Sequence, residues 1–185
     1  MQFTELQTER LILRRVRMED AEAIHAYRSL PEQLQWQPEE RHTVEEIRKF
    51  LAPHIAVEPG TPDSWLALAI TTRETGQVIG DIGLHFPEKK HYEVELGIAL
   101  HPAYHGKGYA SEAMRALMGY AFDTLGKHRV YASIDPRNTA SMKLVERLGF
   151  RREGHFLLSI RWKGGWADDI VYGMLESEWR VRRKG

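Results

Sequence analysis

The chain has 185 residues, with 26 Lys plus Arg balanced by 26 Asp plus Glu, and it contains no cysteine. At this length one domain, residues 1–185, is expected, and a net charge of zero gives no overall field that favours nucleic acid or an anionic membrane as a partner. The missing cysteine excludes disulfides, thiolate zinc sites and a cysteine nucleophile.

The N-terminus is polar and charged, and no apolar run approaches the roughly 18 residues that a membrane-spanning helix needs. We therefore expect a soluble, cytoplasmic protein with no membrane partner, because a cysteine-free chain also fits a reducing compartment. A monomer and a homodimer are both compatible with the sequence.

The first part of the chain predicts a strand, a helix and a loop. Apolar residues alternate with basic ones over residues 11–16, as in a strand, and a short helix is predicted over residues 18–30. Residues 31–42 hold two prolines and predict a loop. Its isolated Trp36 either caps the core or lines a site.

A second helix and a three-strand meander follow. Thr43 and Glu46 form a capping box, in which each side chain can satisfy a free N–H group at the start of a helix. Strands are predicted over residues 65–71 and 78–86, joined by a turn, and a third strand covers residues 92–100.

The third strand has two different faces. One face is apolar and predicts the core; it consists of Tyr92, Val94, Leu96, Ile98 and Leu100. The opposite face carries Glu93 and Glu95, followed by Gly97 and Ala99. Because the last two residues have almost no side chain, this face predicts a shallow trough toward the end of the strand.

Gly106 and Gly108 then open a helix predicted over residues 109–125. A glycine loop at a helix start can direct several N–H groups outward and suits a phosphate or pyrophosphate, although a plain tight turn is the simpler interpretation. Two known phosphate loops fit badly. A Walker loop needs Ser or Thr after Lys107, and a dinucleotide fingerprint needs glycine where Ser111 stands.

The remaining elements are a strand, a helix and a hairpin. The strand over residues 129–134 can lie parallel to the third strand, because a helix intervenes. Asn138 is a suitable N-cap for a helix that Gly149 ends. Residues 150–160 and 167–175 predict a hairpin with a turn at Gly164-Gly165, followed by a short polar tail.

Three segments in this order resemble the GNAT superfamily of N-acetyltransferases, and within it the RimJ/RimL-like type that acetylates ribosomal-protein N-termini. They are residues 8–14 (TERLILR), 108–113 (GYASEA) and 138–150, which begin NTAS and end LGF. The resemblance implies an α+β (mixed α/β) fold, the acyl-CoA N-acyltransferase fold. Its central mixed, mostly antiparallel sheet would have about seven strands flanked by about four helices, with splayed parallel strands at the coenzyme site.

The resemblance also implies acetyl-CoA as co-substrate, with its pyrophosphate on the N–H groups of residues 106–111 and its pantetheine arm along the third strand. The implied coenzyme-binding residues are Ile98, Leu100, His105, Gly106, Lys107, Gly108, Tyr109, Ala110, Ser111 and Asn138. His105 stands where the family has Gln or Arg, so we expect it to act through its backbone N–H. We predict no metal, because Pro102 disfavours a common face for His101 and His105.

Acetyl transfer to an amine needs a neutral nucleophile, donors to the developing oxyanion and often a proton for the departing thiolate. Family position makes Glu95 the predicted base, acting directly or through water, with Glu93 near the substrate on the same face. Ser141 stands where many relatives carry a tyrosine acid; it either hydrogen-bonds the sulfur or simply caps its helix. Backbone N–H groups near Ile98 and Leu100 are the expected donors to the thioester carbonyl.

The predicted acceptor is the α-amine of a protein or peptide N-terminus. Deprotonating an α-amine at neutral pH costs roughly 3.4 kcal/mol less than deprotonating a lysine. A polyamine, an amino acid and an aminoglycoside are alternative acceptors, and a non-catalytic CoA-binding sensor is the alternative from another class. We expect the acceptor groove to be built from residues 31–42 and 161–166, which carry Trp36, Trp162 and Trp166.

Overall fold

The computed structural model describes residues 3–183, in which eight strands form one sheet in the order β1-β2-β3-β4-β5-β6-β8-β7. The strands are β1 Glu5–Gln7, β2 Leu11–Arg15, β3 Ser64–Thr72, β4 Val78–Phe86, β5 Glu93–Leu100, β6 Arg129–Ile134, β7 Arg151–Trp162 and β8 Gly165–Leu175. Neighbouring strands are antiparallel except β5 and β6, which are parallel. The expected mixed, mostly antiparallel sheet is confirmed, with the short β1 as an additional strand.

Six α-helices accompany the sheet in the described part of the chain, where about four were expected. They are α1 Ala21–Arg28, α2 Pro31–Leu34, α3 Val44–Leu51, α4 Tyr109–Gly119, α5 Thr139–Leu148 and α6 Glu176–Arg182. A π-helical turn, Tyr120–Thr124, continues α4. Between residues 3 and 183, none of the helices has the length and apolar character needed to cross a membrane.

Two helices, α2 and α6, are absent from the sequence prediction and correct it. Helix α2 begins inside the predicted loop, because Pro31 occupies the first helical position, where its missing N–H costs nothing. Helix α6 replaces the predicted polar tail. Its Trp179 is buried and stacks on Phe122, with 5.8 Å between the ring centroids.

Two strand boundaries also differ from the prediction. Tyr92 precedes β5 and is exposed, so it does not belong to the apolar face. The last hairpin turns at Lys163 and Gly164, which both have positive φ, and Gly165 already begins β8. Two consecutive residues with positive φ are typical of a type I′ turn, which matches the twist of a hairpin.

The predicted helix caps are confirmed. The backbone N–H of Glu46 donates to Thr43 Oγ1 at 3.2 Å, and Glu46 Oε2 accepts from the Thr43 N–H at 2.9 Å. At the start of α5, Asn138 Oδ1 accepts from the N–H of Ser141 at 3.0 Å. These local hydrogen bonds fix where α3 and α5 begin.

The helices cover the sheet unequally. Helices α4 and α5 bury the main apolar core on one face, whereas α1 and α3 form a smaller core on the other face around Ile24, Tyr27 and Ile47. The same second face carries Glu95 on β5 and Asp169 on β8. Polar groups therefore lie beside the middle of the sheet, where β5 and β6 meet.

Candidate functional site

Strands β5 and β6 separate in the middle of the sheet. Their parallel pairing runs from Glu93 and Arg129 to Glu95 and Tyr131, whereas β5 itself continues to Leu100. Beyond the last pair, backbone groups of the two strands face a gap instead of each other. The splayed parallel strands expected at the coenzyme site are thereby confirmed.

The direction of the backbone groups along β5 follows from one hydrogen bond. The N–H of His101 donates to the carbonyl oxygen of Ile79 at 2.8 Å, toward β4. Because the backbone groups of a strand point alternately to its two sides, the N–H groups of Leu100 and Ile98 point toward β6. The predicted donors to a thioester carbonyl therefore face the gap.

A cavity of about 730 Å³ lies across this region. Its volume is in the range of small-molecule and cofactor sites. Its lining includes these predicted residues: Trp36, Ile98, Leu100, His105, Gly106, Gly108, Tyr109, Ala110, Ser111, Asn138 and Ser141. The glycine loop, the end of β5, the start of α5 and the segment after α2 therefore share one cavity.

The glycine loop has the conformation that anion binding requires. Gly106 and Gly108 have φ values of 73° and 83°, in the left-handed region where glycine is favoured. Gly108 is the N-cap of α4 and supplies no side-chain cap, so the first-turn N–H groups of the helix remain available at the cavity wall. Backbone donors and the positive end of the helix dipole together fit the pyrophosphate of acetyl-CoA.

Side chains from the turn between β1 and β2 support the loop from behind. Thr8 Oγ1 donates to Glu112 Oε1 at 2.6 Å, and Arg10 Nε donates to Glu112 Oε2 at 2.7 Å. Arg10 Nη1 also donates to the carbonyl oxygen of Lys107 at 3.0 Å. Two of the three resembling segments, far apart in sequence, therefore form one structural unit.

Two predicted contacts in the loop need correction. The backbone N–H of His105 donates to the Pro102 carbonyl at 3.0 Å, so it is already used; the side chain instead donates from Nε2 to the Leu100 carbonyl at 2.8 Å. Lys107 Nζ donates to the Ala103 carbonyl at 2.9 Å, and this residue lies outside the cavity lining. His105 thus ties the loop to the end of β5, and Lys107 folds back on its own loop.

The trough predicted beside Gly97 is partly filled by an aromatic ring. A Cβ atom at Gly97 would lie 3.2 Å from Trp65 Cη2, and one at Gly83 would lie 3.2 Å from Trp65 Cε3. The two glycines therefore let the indole lie close to the sheet, tilted against His85 with ring centroids 5.2 Å apart. Trp65, Gly83 and Gly97 all line the cavity, which gains an aromatic floor.

Glu95 is half-buried on the same face of β5, one strand repeat from Gly97. Burial, and to a smaller extent the nearby Asp169 carboxylate, raise the pKa of Glu95 to about 7, although a hydrogen bond with the Tyr131 hydroxyl partly offsets the rise. A repeat of two residues places Glu95 about 7 Å along the strand from the cavity wall at Gly97. A carboxylate with a pKa near 7 suits a general base at neutral pH.

Glu93 takes part in an ion-pair network, and its predicted contact with the substrate stays a prediction. Its Oε2 lies 2.5 Å from Arg129 Nη1 and 3.5 Å from Lys90 Nζ. Arg129 also forms an ion pair with Glu153. Glu93 belongs to this network and lies outside the cavity lining.

Ser141 lies on the α5 wall of the cavity, and its contact with the sulfur stays a prediction. Asn138, not Ser141, is the N-cap of this helix, and its Oδ1 is occupied by the Ser141 N–H. Both residues line the cavity. The Ser141 hydroxyl and the Asn138 amide nitrogen are therefore two of the polar groups at this wall, beside Lys143 and Arg147, that a coenzyme could reach.

The two segments expected to form the acceptor groove do meet. Lys163 Nζ at the hairpin tip lies 2.5 Å from Glu40 Oε1 in the segment before α3. Trp36 lines the cavity, whereas Trp162 and the exposed Trp166 lie outside its lining, so the role of these two tryptophans in the acceptor groove stays a prediction.

Sequence reasoning missed a charged group at this end of the cavity. Arg28 Nε donates to Asp81 Oδ1 at 2.9 Å, and the Tyr27 hydroxyl donates to the same oxygen. Arg28, Asp81 and Arg41 all line the cavity. Local periodicity could not reveal this pairing, because α1 and β4 are distant in sequence, although an arginine directly after the buried Tyr27 hinted at a buried partner.

Replacing Gly108 by Ala is expected to weaken acetyl-CoA binding roughly tenfold, because an L-residue at positive φ is strained and the loop would relax away from its binding conformation. Gly76→Ala is the matched control. Gly76 has a φ of 70°, lies in the turn between β3 and β4 and is outside the cavity lining. Calorimetric titration should show weaker binding for the Gly108 variant alone; equal binding by both variants would remove the loop as the coenzyme site.

Comparisons with known proteins agree with this geometry. Residues 10–151 match the family described as the acetyltransferase (GNAT) domain. The chain is 31% identical over 172 residues to YnaD, an uncharacterised N-acetyltransferase of Bacillus subtilis strain 168, over 93% of this chain and 97% of that protein. An acetyltransferase structure (GNAT family) from Bacillus anthracis has a TM-score of 0.84 at 31% identity, over 95% of this chain and 100% of that chain.

A further relative has a more specific name. The [ribosomal protein uS5]-alanine N-acetyltransferase of Escherichia coli strain K12 is 32% identical over 88 residues. The match covers 48% of this chain and 45% of that protein. The resemblance to the ribosomal-protein acetyltransferase type therefore has support over about half of the chain.

Proposed function

This chain belongs to the GNAT family of acetyltransferases, and we propose that its acceptor is the α-amine at the N-terminus of a protein or peptide. The family and its N-acetyltransferase relatives identify the chain as an acetyltransferase, so the non-catalytic sensor is no longer needed as an alternative. GNAT acetyltransferases use acetyl-CoA as co-substrate. The cytoplasm is the proposed location, since a cysteine-free chain fits a reducing compartment.

The observation that carries the proposal is the environment of Glu95. Its pKa of about 7 makes the carboxylate a weak base that is partly ionised at neutral pH. An α-amine with a pKa near 8 needs no stronger base, whereas a lysine amine titrates near 10.4. Glu95 is therefore better matched to an α-amine than to a lysine side chain.

The chemistry follows from the positions of these groups. The amine nitrogen forms the new C–N bond to the acetyl carbon, the C–S bond breaks, and the proton of the amine passes to Glu95. The N–H groups of Ile98 and Leu100 face the gap beside β6 and can donate to the acetyl oxygen. The α5 wall offers the Ser141 hydroxyl to the departing sulfur.

Similarity to the E. coli enzyme supports the same acceptor class, since the name of that enzyme states that it acetylates an alanine of a ribosomal protein. The match spans about half of either chain, so it supports the proposal without defining the target protein.

An acceptor panel tests the proposal. Purified protein with acetyl-CoA is offered a peptide with a free N-terminus, the same peptide with a blocked N-terminus and one lysine, spermidine, a free amino acid and an aminoglycoside. Release of the CoA thiol measures turnover. We expect the highest kcat/KM for the free N-terminus. A higher kcat/KM for the blocked peptide or for spermidine would overturn the proposed acceptor while leaving acetyl transfer intact.

A further inference from the structure

A partly desolvated guanidinium lines the cavity beside Phe50 of α3. Arg41, in the segment between α2 and α3, lines the cavity, and 13% of its side chain is exposed. Its guanidinium carbon lies 4.3 Å from the centroid of the Phe50 ring. Burial lowers the pKa of Arg41, which means that its surroundings compensate the charge incompletely.

The charged neighbours of Arg41 explain this incomplete compensation. Its ion-pair partner is Glu39 at 3.0 Å, whose own side chain is 79% exposed, and such exposed pairs are weak. Arg28 adds a like charge, and the attraction of Glu46 is smaller than the cost of burial. Asp81, the carboxylate on the cavity floor nearby, is already held by Arg28 through two N–H groups.

The opposite charge dominates where the amine is expected to react. Glu95 and Asp169 lie on the same face of the sheet, and their mutual repulsion contributes to the raised pKa of Glu95. The cavity lining also includes the aromatic rings of Trp36 and Trp65. Arg41 directly follows Glu40, which meets the hairpin tip at Lys163, so its guanidinium belongs to the expected acceptor groove.

We propose that the acceptor carries a carboxylate in addition to its amine, and that Arg41 binds this carboxylate. The inference rests on the proposed acetylation of an amine. A planar guanidinium can bind a carboxylate through two parallel hydrogen bonds, and partial exclusion of water strengthens them. Arg41 is thus a specificity-determining residue that distinguishes acidic acceptors from neutral ones.

Two sources can supply such a carboxylate: an Asp or Glu side chain near the N-terminus of a peptide, or the α-carboxylate of a free amino acid. Matched acceptors separate them. One pair is a peptide beginning Ser-Asp and the same peptide beginning Ser-Asn, and the other pair is a free amino acid and its amide. Each pair differs in a single carboxylate, so the KM ratio within a pair measures recognition of that group.

We expect the wild type to prefer the carboxylate member of one pair, with a KM lower by a factor on the order of ten, as a charge-assisted hydrogen bond predicts. Arg41→Gln should lose this preference while keeping the kcat/KM of the neutral member. Arg41→Lys should keep part of it, since the charge remains without the planar fork. Arg180→Gln is the control, because Arg180 forms an ion pair with Glu176 on α6, outside the cavity.

Three results would overturn the inference: a wild type without preference in either pair, a preference that survives Arg41→Gln, or an equal loss for both members of a pair. An equal loss for both members of a pair, together with a lower thermal midpoint of the Arg41→Gln protein, would assign Arg41 a structural role. In all three cases neutral acceptors are still acetylated by the wild type, so the proposed function stands. Absence of turnover with every free amine would instead overturn the proposed function, and this inference with it.

Discussion

Replacing Glu95 by Gln is expected to lower kcat by a factor on the order of 10² to 10⁴, the usual contribution of a positioned general base. Affinity for acetyl-CoA should be unchanged. Glu95 lies outside the lining of the cavity, whereas the glycine loop forms part of that lining. Steady-state kinetics with a peptide acceptor and calorimetric titration with acetyl-CoA measure the two quantities separately.

The pH dependence gives this prediction its sharpest control. For the wild type, kcat/KM should rise as the pH increases through about 7, because Glu95 acts as a base only after losing its proton. Glu95→Gln should lack this rise and keep only the rise at about pH 8 that ionisation of the α-amine acceptor itself produces. Glu93→Gln removes a carboxylate from the same face of the same strand, but one that is paired with Arg129, and should retain the rise through about pH 7. A rise through about pH 7 that persists in Glu95→Gln would assign the base elsewhere.

Glu95→Gln should also be more stable than the wild type at alkaline pH. The folded-state pKa of about 7 lies above the ordinary value of 4.5, so the folded protein holds this proton more tightly than the unfolded chain. Stability is therefore lost as the pH rises from 4.5 to about 7, by up to about 3 kcal/mol, and Gln avoids that loss. Urea unfolding at pH 5 and pH 8 measures the free energy of unfolding of both proteins. The advantage of Glu95→Gln over the wild type should be larger at pH 8 than at pH 5.

Replacing Asp81 by Ala is expected to destabilise the fold by about 3–5 kcal/mol, because it leaves the guanidinium of Arg28 buried without its partner. Each side chain of this ion pair is 15% exposed, and the Tyr27 hydroxyl also loses its acceptor. Urea denaturation with an unchanged slope measures the loss.

Two further variants test this explanation. Asp123→Ala breaks an ion pair with Arg183 whose side chains are 42% and 60% exposed, and it should cost less than about 1 kcal/mol. Arg28→Met combined with Asp81→Ala should cost less than Asp81→Ala alone, since no buried charge remains unpaired. Equal losses in the single and double variants would show that the space vacated by Asp81, and not charge, dominates.

Short-range patterns predicted much of this fold. The capping residues Thr43 and Asn138 and the change from strand to helix after Gly108 depend on neighbours within four residues, and the structure confirms them. The alternation in β5 likewise predicted the buried Val94, Leu96 and Leu100, whereas Ile98 is half-buried and Tyr92 is exposed. Elements of three or four residues, such as β1 and α2, are too short to give a periodic pattern.

Contacts that no sequence motif contains, both distant and local, account for the differences at the site. Nothing near Gly97 in the sequence indicates that the Trp65 indole will lie over it, because strand register decides this contact. Lys107 was assigned to a phosphate from its place in a glycine loop, but the nearby Ala103 carbonyl competes for its ammonium group. The role of a side chain depends on which partners it can contact in the folded structure, and a sequence motif does not specify those partners.

The hydrogen bonds from Thr8 and Arg10 to Glu112 have a consequence for the folding of the glycine loop. Residues 93–119 contain the whole local motif, yet the partner that holds the start of α4 arrives from more than a hundred residues earlier in the chain. Closing so long a segment costs entropy that only the assembled sheet can repay. We therefore expect the binding conformation to form late in folding, and an excised β5–α4 peptide to contain the motif without adopting its conformation.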